Sequence, residues 1–112
     1  MSEVRVKAKI WVQMALRMGD LAGQPGAVLR RGDADAGGVL VVLQGRGGVV
    51  VLSQIRTGDA DVAWMRGTGP APVEQAAADA YVARQIDRDP DLWVIEFASP
   101  DLTPPFEARI IS

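Results

Sequence analysis

The chain has 112 residues, 48% hydrophobic and 23% charged, which suits one folded domain over residues 1–112 and excludes a wholly disordered chain. Twelve Lys and Arg against fourteen Asp and Glu give a net charge of −2 and a pI near 5.0, which argues against a dedicated nucleic-acid binder. Cysteine and histidine are absent, so disulfides, thiolate nucleophiles, Cys-based zinc sites and a Ser-His-Asp triad are excluded.

MSEVRVKAKIW lacks the apolar core of a secretory signal, and no apolar run is long enough to span a bilayer. A soluble cytoplasmic protein is the expectation. Val4–Ala8 alternates apolar and polar residues, as a short strand does. From Lys9 to Ala22 the pattern becomes helical. Lys9, Gln13, Arg17 and Asp20 form one narrow polar stripe, and Ile10, Trp11, Val12, Met14, Ala15, Leu16, Met18 and Leu21 cover the rest. That apolar surface is wider than a helix lying on a sheet needs. Either it is buried on two sides or part of it, around Trp11, Met14 and Met18, meets a partner chain. Gly23 and Pro25 mark the helix end.

Strand signals follow at Ala27–Arg30, Val39–Gln44, Val49–Ile55 and Val62–Arg66, with the glycine-rich turn Gly45–Gly48 joining the second and third as a hairpin. Pro72 suits the first position of a second helix over Val73–Arg88, whose Ala78, Tyr81, Val82 and Ile86 share a face. Asp89-Pro90 ends it, and Leu92–Ala98 is a further strand. Residues 99–112 form a tail with three prolines, read as a loop that closes with a short strand at Phe106–Ile111. The order α-β-β-β-β-α-β predicts an α+β fold: a single, mostly antiparallel sheet of four to five strands with two helices packed on it.

The tetrapeptide Gly-Asp-Ala-Asp occurs twice, at Gly32–Asp35 and Gly58–Asp61. Neither copy has the third acid and the later glutamate of a calcium loop. Both lie between strands, where Asp accepts its own backbone N–H groups and Gly supplies turn conformations. The second copy reads as a plain inter-strand turn. The first keeps more interest, because Arg30 and Arg31 precede it and Gly37 and Gly38 follow. Arg30, Arg31, Asp33, Asp35 and Gly37 are therefore candidate ligand-binding residues, able to hold an anion between an arginine and loop amides. Glu96 stands in an apolar strand. If Val94 faces outward, Glu96 is solvated; if inward, it needs an arginine partner. No residue set forms a recognisable catalytic or metal site, and no cofactor motif is present.

The blocks KIWVQMALR, RRGDADAGGVLV and GTGPAPVEQAAADAYVARQIDRDPDLWVIE resemble a family of small bacterial proteins classified only as a domain of unknown function. The resemblance covers Val6 to about Glu96, with the tail after Pro100 outside it. It implies no activity and no cofactor. It places Arg30, Arg31, Gly32, Asp33, Asp35 and Gly37 in one signature and Pro90, Asp91, Leu92 and Trp93 in another. The functional expectation is a non-catalytic interaction domain, a homodimer or a subunit of a larger complex. The alternative is a small-molecule or anion-binding domain using the Arg30–Asp35 loop, with weak hydrolase activity as its extreme form.

Overall fold

A computed structural model describes the backbone of residues 6–57 and 61–111. Helix α1 (Ala8–Leu21) is followed by strands β1 (Gly26–Arg30), β2 (Val39–Gly45), β3 (Gly48–Thr57) and β4 (Asp61–Arg66), then helix α2 (Gln75–Arg88) and strand β5 (Trp93–Ala98). The fold is α+β, with one open five-stranded sheet ordered β1-β5-β2-β3-β4. Three neighbouring pairs are antiparallel and one, β2 with β5, is parallel. Parallel neighbours need a long crossover, and in the β4–α2–β5 passage α2 supplies it.

The last strand in sequence thus lies inside the sheet. Its composition explains why: Trp93, Val94, Ile95 and Phe97 are all buried, so both faces of β5 need cover. β2 is likewise buried on both faces, and alternate residues go to opposite layers. Val39, Val41 and Leu43 join the α1 side, where Ala8, Val12 and Ala15 form the helix's inner face. Leu40 and Val42 join the α2 side with Ala78, while Tyr81, Val82 and Ile86 pack against that cluster.

Two element starts differ from the sequence pattern. Val6 and Lys7 are not a strand, and Ala8 already opens α1; Val4 and Arg5 lie outside the described residues. The amides of Ala8 and Lys9 donate to the carbonyls of Asp35 (3.3 Å) and Ala34 (2.9 Å), so a distant loop completes the helix start. Nor is Pro72 the first residue of α2. Val73 exchanges two backbone hydrogen bonds with Val49 (2.8 and 2.9 Å), and the helix begins after Glu74. At the far end of α1, the Gln24 amide donates to Gly19 O at 2.7 Å and Gly23 takes φ 72°, a left-handed cap where glycine avoids a steric penalty.

The tail is part of the core. The buried Ser99 hydroxyl donates to Thr103 O at 2.7 Å and accepts from Gln24 Nε2 at 3.0 Å, which pins the chain as it leaves β5. Beside this turn, the Thr103 hydroxyl holds the exposed Asp101 carboxyl below its ordinary pKa. Leu102, Ala108 and Ile110 pack on the α1-side cluster. Phe106 enters it fully, with ring centroids 5.1 Å from Trp11, 5.5 Å from Trp64 and 6.3 Å from Phe97. The strand expected at Phe106–Ile111 is reduced to a single parallel bridge between Ile110 and Trp64. Replacing Phe106 with Ala is expected to cost about 3–5 kcal/mol, the usual range for emptying a buried aromatic site. Urea unfolding checks this; a loss below about 1 kcal/mol would show that the tail merely rests on the sheet.

Candidate functional site

The loop between β1 and β2 carries the acidic-glycine motif, and its local chemistry explains its shape. Asp33 Oδ2 accepts the amides of Asp35 (3.2 Å) and Ala36 (2.8 Å), the side-chain-to-backbone bonding by which aspartate builds a turn. The Gly37 amide then donates to Asp33 O at 3.2 Å. This turn faces the connection between α2 and β5, which Asp89 shapes in the same way through the Asp91 amide (3.1 Å).

The two turns are locked together. Asp33 N donates to Asp91 O at 2.9 Å, and the Trp93 indole Nε1 donates to Asp33 O at 2.7 Å. Gly32 sits at the tightest point. A Cβ there would collide with the Asp91 carbonyl oxygen and lie 2.7 Å from Trp93 Cδ1. Glycine is required by this close approach and not by an unusual φ.

Arg30 and Arg31 diverge. Arg30 Nη2 donates to Pro90 O at 2.7 Å, and Arg30 Nε is buried without a partner among the described residues. The Arg31 guanidinium lies 5.7 Å from the centroid of the Trp93 ring, within cation–π range. Asp35 turns toward Lys7 in an exposed 3.6 Å ion pair, which contributes little. Arg30, Arg31, Asp33, Asp35 and Gly37 are therefore neighbours in one loop whose polar groups point in different directions, several of them onto local backbone. Among the described residues no group of three or more acids is placed to hold a metal ion. Of the second acidic-glycine copy, Gly58, Asp59 and Ala60 lie outside the described residues, and Asp61 opens β4.

The other candidates lie on α1. Trp11 is half-buried in the aromatic cluster, 5.5 Å from Trp64. Met14 and Met18 face outward at 47% and 43% exposure, joined by Ile10 (49%) and Leu21 (78%). Spacings of four, four and three residues put these four in one stripe, a periodicity legible in the sequence. No such periodicity announces the placing of Glu96. Val94 faces inward, yet the half-buried Glu96 accepts from Gln44 Nε2 at 2.8 Å and has no cation within 4 Å among the described residues. No helix among the described residues is long and apolar enough to cross a membrane.

Fold and clamp together define a small α+β protein whose most distinctive residues fasten two loops to each other. The chain belongs to the family described as protein of unknown function (DUF1491), which matches residues 6–107. A crystal structure of a DUF1491 family protein from Caulobacter crescentus CB15 is 31% identical, covering 96% of this chain and 100% of that one, with a TM-score of 0.83. An NMR structure of a DUF1491 family protein from the same organism is 30% identical over 98% and 100%, with a TM-score of 0.84. The solution structure of Atu0922 from A. tumefaciens shares the fold at 21% identity, covering 97% and 98%, with a TM-score of 0.79. No curated protein matches. The family match reaches residue 107, so most of the tail belongs to the family pattern and is not peculiar to this chain.

The clamp predicts that Gly32→Ala destabilises the fold by about 1–3 kcal/mol, because backbone or Trp93 must move to admit the methyl group. Thermal unfolding checks this, and an unchanged Tm would show that the two loops are not tightly apposed.

Proposed function

We propose that this protein is a soluble, cytoplasmic, non-catalytic interaction domain that pairs with a second copy of itself through the outer face of α1. The observation that carries this reading is the stripe Ile10, Met14, Met18 and Leu21, exposed on a helix whose opposite face already supplies the core. Contiguous apolar side chains on a charged surface mark contact sites, and methionine adapts well to a partner.

The occupant follows from the spacing. Ile10 and Met18 are symmetric about Met14, so an antiparallel copy of α1 brings Met14 against Met14 and Ile10 against Met18. The same arrangement brings Lys9 at the start of one helix toward Asp20 near the end of the other, joining opposite charges. One helix pair is a small interface, which suits a dissociation constant on the order of micromolar. This reading is preferred to an anion site in the Arg30–Asp35 loop because the Asp33 carboxylate and Arg30 Nη2 already have backbone partners.

Multi-angle light scattering over a concentration series is expected to show a mass rising toward twice 11.9 kDa. Met14→Glu is expected to hold the chain at the monomer mass and to keep the Tm of the dilute, monomeric wild type, since Met14 is exposed in the single chain. A wild type that stays monomeric into the high micromolar range would contradict the proposal, as would a Met14→Glu variant that still dimerises.

A further inference from the structure

The sheet has two edges, and they are treated differently. β4 is partly covered by the tail through the Ile110–Trp64 bridge. Among the described residues, β1 pairs with β5 alone, on its inner side. The Ala98 amide donates to Pro25 O at 3.0 Å. By the alternation of an antiparallel ladder, Ala27 then bonds inward, and Gly26 and Val28 turn their N–H and C=O groups outward. Among the described residues, no backbone bond beyond those of the strand pairing reaches Gly26 or Val28.

Each face of this edge offers a hollow. On the α2 face, α2 packs over β2 and β3 and leaves the β5–β1 margin open. A hollow of about 200 Å³ there is lined by Leu29, Val82, Ile86, Asp79 and Glu96. A second, of about 260 Å³ beside Ala27, also reaches Glu96, so the two adjoin at this carboxylate. On the α1 face, a hollow of about 140 Å³ is lined by Val28, Leu16, Gln13 and Arg31. Leu29 is 55% exposed at this margin.

Glu96 gives the groove its chemistry. It is a half-buried acid whose hydrogen-bond partner is the uncharged Gln44 amide, with Asp79 lining the same hollow. Ala27 is the register partner of Glu96 on β1. A residue on a strand added outside Ala27 would have its Cα about 10 Å from that of Glu96, two strand spacings away. The residue between them in the ladder is Ala27, whose side chain is a single methyl, so a lysine or arginine side chain can cross it and place its charge at the carboxylate.

We propose that β1 is the docking edge for an extended segment of a partner protein that carries a lysine or arginine between apolar residues. The segment adds as a sixth strand, bonds to the outward groups of Gly26 and Val28, and sets its basic side chain at Glu96. Its neighbouring apolar residues turn to the other face, into the hollow at Val28 and Leu16. Backbone bonding supplies affinity and the alternate pockets supply selection. This site is separate from the α1 stripe, so either proposal can fail without the other.

The test uses the full chain and two fluorescein-labelled octapeptides, one alternating lysine and valine, the other glutamate and valine, read by fluorescence polarisation. The lysine peptide is expected to bind and the glutamate peptide not to bind. Glu96→Gln is expected to weaken binding about tenfold. Val28→Pro removes an outward N–H while sparing the bonds to β5, and is expected to abolish binding with the circular dichroism spectrum retained. If that variant fails to fold, Glu96→Gln alone decides. Equal binding of both peptides, binding of neither, or binding of the lysine peptide undiminished by Glu96→Gln overturns the proposal. So does loss of self-association in folded Val28→Pro, which would give this edge to a second copy.

Discussion

The carbonyl oxygen of Asp33 accepts the Trp93 indole hydrogen at 2.7 Å, while the amide of the same residue donates to Asp91 O. One peptide position thus holds β5 at its entry point, and β5 joins the edge strand β1 to the rest of the open sheet. The bond is worth little by itself, because folding trades it against water. Its importance is geometric. Trp93 N also donates to Gly38 O, so the register of β5 against β2 is set within a few residues of the clamp. The carbonyls of Ala34 and Asp35 then reach the first amides of α1. Three elements far apart in sequence meet at a turn whose shape one carboxylate maintains.

With the acidic-glycine motif engaged in fastening two loops, two other surfaces stand outside both the clamp and the core. α1 covers one face of the sheet and leaves four large apolar side chains outward. α2 covers the other face but stops short of β1, leaving an edge and a groove beside it. Neither surface is needed by the core, since the α1-side and α2-side clusters are complete without Ile10, Met14, Met18 or Leu29. Apolar groups that do not stabilise the single chain are available to stabilise a complex.

Much of the fold was legible because local patterns were strong. The β-branched runs of β2 and β3 and the glycine turn between them signalled a hairpin, and the strands pair through Gly45 and Gly48. The excess apolar surface of α1 was legible too, but its division was not. Phe106 covers the Trp11 side from nearly a hundred residues away, and no local signal tells which flank a tail will reach. Val73 reads as helix after Pro72, yet long-range pairing with Val49 overrides that preference. The acidic-glycine loop reads as a turn from its own residues. Its grip on Asp91 and Trp93 does not, because proximity between two signatures some sixty positions apart belongs to topology. For Glu96 the sequence offered solvation or an arginine; the fold instead supplies the Gln44 amide and an open groove.

The most direct test of the clamp is native-state hydrogen exchange in Asp33→Ala, followed by NMR at the Lys9 amide and the Trp93 indole. These two hydrogens lie in different elements and both depend on the Asp33–Asp35 turn. If the turn fastens α1 and β5 together, both exchange faster by a common factor of about five to ten, while the central amides of β2 and β3 keep their protection. Acceleration confined to the amides of Asp35 and Ala36 would show that the carboxylate shapes only its own loop, and would contradict the account.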